Sequence, residues 1–201
     1  MKPFTLDDVI SLEDYAAGRL EFFAAHIRYR DRYRRVRLGP KLTIVFENRQ
    51  TLWFRMQEVI RTARLVERDA VQEHLTHYSR LLPQRNQLHA SLLIEVDESR
   101  WSDEAKFWSG LQGDHIQLVL GDTRISSCLV TSRPEDRAVG AAHWVEFALS
   151  AQDQVALADF ERPAKLETIY PAYEYVSSAL SEDVRQSLLE DLAASQRDLA
   201  A

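Results

Sequence analysis

The chain reads as an α+β protein forming one domain over residues 1–201, and three observations lead there. Apolar residues recur at helical spacing through roughly the first 83 positions. From about residue 84 onward, short runs rich in β-branched and aromatic residues take over, separated by turn signals. No repeat or low-complexity segment separates the two regions. The expected architecture is a helical portion over about 5–83 and a sheet-containing portion over about 84–201. The second portion is expected to hold a mixed, mainly antiparallel sheet flanked by short helices, ending in a C-terminal helix.

Each element follows from local chemistry. Thr5-Leu6-Asp7-Asp8 and Ser11-Leu12-Glu13-Asp14 both place an acid where it can complete an N-terminal cap. The first predicts a short helical turn and the second a long helix ending near Tyr33 or Val36, stopped by Gly39-Pro40. Leu12, Ala16, Leu20, Phe23 and Ile27 recur along it and are expected to face the core. KLTIVFEN (41–48) predicts a strand, after which Asn48 caps a helix carrying Leu52, Met56, Val59 or Ile60, and Ala63. A helix over about 69–80 carries Val71, Leu75 and Tyr78 on one side. LHASLLIEV (88–96), nearly continuously apolar, predicts a central strand. Residues 101–111 predict a short helix with Ser102 as its cap, and 115–120 with 123–130 a hairpin turning at Gly121-Asp122. A strand over 142–149, a helix over 151–159 capped by Ser150, and a strand over 164–171 follow. Ser181 caps the last helix, with Val184, Leu188 and Leu192 inward.

Composition narrows the function. Apolar residues make up 45% of the chain and charged residues 28%, and no apolar run reaches the ~20 residues that cross a bilayer. The N-terminus lacks the hydrophobic segment and small-residue cleavage site of a secretory signal. Cys128, the single cysteine, fits a reducing compartment, so the expected location is the cytoplasm. Residues 1–41 carry a formal charge of +3 and the remainder -9. The acidic bulk opposes general binding of RNA or DNA, and a local nucleic-acid module is the weakest reading.

The positive charge is concentrated between Arg28 and Arg37, which holds six arginines. Cations suit the C-terminal end of a helix, but the dipole there accounts for two or three of them. The helical reading sets Arg28, Arg32 and Arg35 on one face and Arg30, Arg34 and Arg37 on the next, with Glu58, Glu67 or Asp69 as ion-pair partners. Tyr29 and Tyr33, one turn apart, suit packing or an interface.

Other chemistries find little footing. The chain has neither GxxxxGK[ST] nor GxGxxG, and no GxSxG. His74 and His77 follow Glu73 on one helix but lack the order of a zinc or di-iron motif, and they are expected to be solvent-exposed histidines. Cys128 falls within a predicted strand and is expected to be buried and inert, while Glu95 and Glu146 are acids that a sheet could bring together. No cofactor and no catalytic residue is expected.

Several stretches resemble the bacterial domain of unknown function 3501: RRVRLGPKLTIVFENRQT (34–51), FRMQEVIR (54–61), HYSRLLPQRNQLHASLLIEV (77–96) and YPAYEYVSSALSEDVRQSLLEDL (170–192). Tyr170 and Ser79 depart from the histidine and asparagine usual in that family. The resemblance carries no activity. It implies a gene neighbourhood shared with a rubrerythrin and an iron–sulfur oxidoreductase, hence one of these as partner in an oxidative-stress setting. The reading that follows is a non-catalytic accessory or docking protein. Its surface would be built from Arg30, Arg34, Arg35, Glu47, Asn48, Arg49, Gln57, Glu58 and Arg61, and would also be a candidate homo-oligomer interface. The alternative is an enzyme or small-anion binder gathering Arg34, Arg35, Arg49 and Glu58 in one pocket.

Overall fold

A computed structural model describes residues 1–95, 99, 101–130 and 142–197. After a 3-10 turn over Leu6–Asp8, helix α1 spans Leu12–Tyr33. Strands β1 (Arg35–Leu38) and β2 (Leu42–Glu47) follow, then helices α2 (Arg49–Thr62) and α3 (Arg68–Arg80). Strand β3 (Gln87–Ile94) leads to α4 (Trp101–Trp108), then β4 (Ile116–Leu120), β5 (Thr123–Ser126) and β6 (Cys128–Leu129). The chain continues through β7 (Ala142–Ala148), α5 (Ala151–Ala158), β8 (Ala164–Tyr170), β9 (Tyr173–Val176) and α6 (Glu182–Arg197).

The fold is α+β, as the sequence predicts, and its strands divide between two sheets with every pair antiparallel. One sheet runs β1-β2-β3-β7-β6, with β3 central, and the other β5-β4-β8-β9. The predicted hairpin at Gly121-Asp122 forms, but TRISSCLV does not stay in one strand. At buried Ser127, whose hydroxyl donates to the Gly113 carbonyl, the chain leaves the four-stranded sheet, and Cys128 pairs opposite Glu146 in the other. Cys128 is therefore exposed on an edge strand, not buried.

The five-stranded sheet is buried on both faces. Val36, Leu38, Leu42, Ile44, Phe46, Leu88, Ala90, Leu92, Val145 and Phe147 form one core with Leu118 and Leu166 of the other sheet and Val184, Leu188 and Leu192 of α6. The opposite side meets the helices, where Leu52, Met56, Ile60, Val71, Leu75 and Tyr78 pack with Trp144. Caps work where the sequence places them: Ser11, Asn48 and Ser150 accept from backbone amides of α1, α2 and α5. Ser102 lies inside α4 and is not its cap.

Two expectations about the arginine-rich stretch change. First, α1 ends at Tyr33, and Arg35-Val36-Arg37-Leu38 forms β1 with alternating exposed and buried residues, paired to Leu42–Val45. Alternation of apolar and charged side chains is the period of a half-buried strand, and Gly39, with φ of 71°, turns a hairpin there in place of stopping a helix. Second, the stripe expected to face the core does so only in part: Leu12 packs against the core and the Phe23 ring lies 6.2 Å from Phe54, but Leu20 is 79% exposed and Phe23 45%. The packed side of α1 is Tyr15, Phe22, His26 and Tyr29. Tyr15 stacks on Phe22 at 5.2 Å and His26 on Phe54 at 4.0 Å. Aromatic area and hydroxyl partners on α2 outweigh the aliphatic stripe in choosing the face.

Candidate functional site

The nine residues singled out above lie along the junction between α1, α2, α6 and the five-stranded sheet, in separate networks. The most buried is built around Arg34, the residue that ends α1. It is 1% exposed, and its guanidinium donates to Asp191 of α6, to Ser187 Oγ at 2.6 Å and to the Tyr29 hydroxyl at 2.5 and 3.0 Å. Asn48 joins the cluster by donating through Nδ2 to Tyr29 (2.9 Å) and Asp191 (3.1 Å) while its Oδ1 caps α2. Burial pushes the Asp191 carboxyl up, against the pull of Arg34 and Asn48. The planar fork and three neutral donors or acceptors satisfy the pair in full, which a dry ion pair requires.

The second network is a polar layer between the helices and the sheet. Glu47 on β2 is 1% exposed; its Oε1 accepts from Ser91 (2.6 Å) and Arg55 (2.8 Å). Arg55 lies over the Trp144 ring at 5.3 Å. Among the described residues, Glu47 Oε2, Thr43 Oγ1 and His26 Nδ1 are buried without a hydrogen-bond partner. Burial drives the His26 imidazole down to about 4, with the Arg30 cation adding to the effect and Glu47 opposing it. Unpaired buried polar atoms are costly. His89 and Glu146 border the same face, 3.4 Å apart.

The remaining residues tie the N-terminal segment and α1 onto α2. Glu58 accepts from Arg19 (2.9 Å), Arg61 (3.0 Å) and the Tyr15 hydroxyl (3.0 Å). Although burial alone would raise it, this triple donation brings its carboxyl down to about 2. Gln57 donates to the Ile10 carbonyl at 2.7 Å and accepts from its amide at 3.3 Å. Arg49 pairs with Asp8 at 2.7 Å and lies 4.6 Å over Phe4. Arg30 and Arg35 both reach Asp31, at 2.9 and 3.5 Å.

The structure thus unites Arg34 with Asn48, and Glu58 with Arg61. Glu47, Arg49, Gln57, Arg30 and Arg35 stand in other networks. The ion-pair partners differ from those expected: Arg32 meets Asp183, Arg34 meets Asp191 and Arg37 meets Glu95, while Glu58 serves Arg19 and Arg61. The pocket required for a small anion, with Arg34, Arg35, Arg49 and Glu58 together, does not form. Glu95 and Glu146 do not meet either, since Glu95 pairs with Arg37 and Glu146 with His89. No group of three metal-ligating side chains converges among the described residues.

Sequence reasoning missed Arg55, Ser91 and Asp191, and read Tyr29 as packing or interface without its role in binding Arg34. Arg55, Ser91 and Asp191 all lie in the stretches quoted for the resemblance, but no periodicity joins residues 157 apart in sequence, as Arg34 and Asp191 are.

Comparison with known proteins is consistent with this anatomy. A family model described as "Protein of unknown function (DUF3501)" matches residues 3–192. A crystal structure of a novel protein of unknown function from Burkholderia pseudomallei K96243 is similar at 26% identity and a TM-score of 0.84, covering 95% of this chain and 100% of that one. No curated protein matches.

Proposed function

The chain belongs to the family of proteins of unknown function DUF3501, and from that premise we propose that it is a non-catalytic docking protein whose working surface is the outer side of α1. One observation carries this. Leu20 and Phe23, 79% and 45% exposed, continue an apolar stripe from Ala16 toward Ile27 on the outside of a 22-residue helix. The stripe ends beside exposed Arg28, which has no ion pair among the described residues. Contiguous apolar residues rimmed by charge suit a protein partner. Arg34 ties α1 to Asp191 and Ser187 of α6, and with Asn48 in the same cluster it supports this surface from within.

The partner the resemblance implies is a rubrerythrin or an iron–sulfur oxidoreductase. The test is direct titration of each purified partner, from the same source, onto the native protein and onto Leu20→Asp/Phe23→Asp. Saturable binding lost in the variant supports the reading. Binding unchanged by the variant, or none to either protein, overturns it for those partners.

A second reading has its own observation. Residues 12–22 of α1 hold three acids and one arginine, and residues 23–33 hold three arginines and one acid. An antiparallel pairing of two α1 helices across a two-fold axis would set each acidic half against a basic half, with Ala16 and Ala24 allowing close approach. Sedimentation would then give a dimer that Leu20→Asp converts to monomer; a native monomer removes this reading.

A further inference from the structure

The β1–β2 turn, α4 and the β8–β9 turn line a cleft to which α1 contributes no residue. We propose that it binds a small organic cation through an alkylammonium head group. Its volume is about 510 Å³, within the range of roughly 300–1,000 Å³ that holds small ligands. The side chains that line it include Lys41, Asp103, Glu104, Phe107, Tyr173 and Tyr175.

Three of these six are aromatic, and they belong to a continuous ring cluster. Tyr173 lies 4.6 Å from Tyr175 and 4.9 Å from Trp108, which in turn lies 5.0 Å from Phe107. The wall is held in place by backbone. The Tyr173 hydroxyl donates to the Leu38 carbonyl at 2.9 Å and accepts from the Lys41 and Leu42 amides at 2.8 and 3.0 Å. A side chain at Gly39 would bring a Cβ within 2.6 Å of the Tyr175 ring, so the hairpin turn and the ring are fitted to each other. Gly39-Pro40-Lys41 and Tyr173–Tyr175, from two stretches that carry the family resemblance, meet at this corner.

Charge selects the ligand's sign. The Lys41 ammonium is engaged by Glu104, whose other oxygen accepts from Trp108 Nε1 at 3.2 Å. Arg37, close by, is engaged by Glu95 and by the Gly39 and Pro40 carbonyls. Both cations are therefore already neutralised. The Asp103 carboxylate at the rim has no ion pair among the described residues. Among the described residues that line the cleft an anion would find no unpaired positive group, whereas an alkylammonium finds aromatic walls, whose faces attract cations, and a carboxylate.

The test titrates choline, at constant ionic strength, against its neutral isostere 3,3-dimethylbutanol, following the Tyr173 and Tyr175 ring resonances. Choline is expected to bind roughly tenfold more tightly than the isostere. Asp103→Asn, at an exposed position, should weaken choline several-fold with the melting temperature unchanged, and Tyr175→Leu should weaken choline several-fold while binding of the neutral isostere changes less. Equal affinity for the isostere would make the cleft merely apolar and overturn the proposal. So would the absence of any resonance change at about 100 mM choline, a concentration that half fills a site of that dissociation constant. Neither outcome bears on α1, whose surface lies on other elements.

Discussion

Replacing Arg34 with methionine keeps most of its volume and removes its charge. Asp191, 8% exposed, then retains only Asn48 as a direct donor. Breaking a buried pair from one side costs ~3–5 kcal/mol because the other charge is left uncompensated. For a chain of this size each kcal/mol lowers Tm by roughly 2–4 °C, so the expected loss is roughly 6–20 °C. The companion variant Arg34→Met/Asp191→Leu leaves no charge behind. It should recover most of that loss, since a packed apolar pair replaces a buried ionic one at little cost. Thermal unfolding followed by circular dichroism, with urea midpoints for the same proteins, reads both. If the double variant loses the sum of the two single losses, the uncompensated-charge argument is wrong, and the network's packing and its bonds to Tyr29 and Ser187 matter more than its charge.

Four further outcomes are expected. The His26 ring, held at about 4 against an unfolded value of 6.5, should stay neutral at pH 7 in a histidine-resolved NMR titration. Because the unfolded chain binds its proton first, this group's contribution to stability is complete above about pH 6.5 and is lost as pH falls toward 4. Glu58, held at about 2 against 4.5, contributes stability that is lost as pH falls from about 4.5 toward 2; in Glu58→Gln, urea midpoints measured across that window should change less with pH. Native protein should react with one equivalent of a thiol reagent, as Cys128 is exposed; silence until denaturant is added would contradict the placement of β6. Gly113→Ala should destabilise markedly in urea titration, because its Cβ would lie 2.5–2.7 Å from the backbone of Cys128 and Leu129, which cannot rotate away.

The order of elements was legible because caps and periodicity are local. Asn48 and Ser150 announce helices within three residues, and Val184, Leu188 and Leu192 mark the inner side of α6 correctly. What periodicity cannot say is which neighbour a stripe will meet. Leu12, Ala16, Leu20, Phe23 and Ile27 form a real stripe, but the side bearing Tyr15 and Tyr29 found the better partners in Glu58 and Arg34. The Arg-Val-Arg-Leu strand was hidden by its arginines, which suit a helix as well, and was decided by pairing with Leu42–Val45. Glu47 was singled out from a strand end, but its partners Arg55 and Ser91 come from two other elements. The site residues were thus recognisable as unusual; their grouping depends on tertiary contacts.

The contacts of Arg34 with Asp191 and of Tyr173 with Leu38 join residues 157 and 135 apart. During synthesis on the ribosome, the first helix and hairpin emerge long before the segments that complete them. Until α6 is made, the Arg34 guanidinium must remain hydrated, and the amides of Lys41 and Leu42 lack the Tyr173 hydroxyl. A chain truncated before residue 170 would keep all five strands of the five-stranded sheet yet leave both ends of its first hairpin unsealed. Chains interrupted before β9 and α6 therefore lack the groups that seal the first hairpin, and such open products are more exposed to proteolysis.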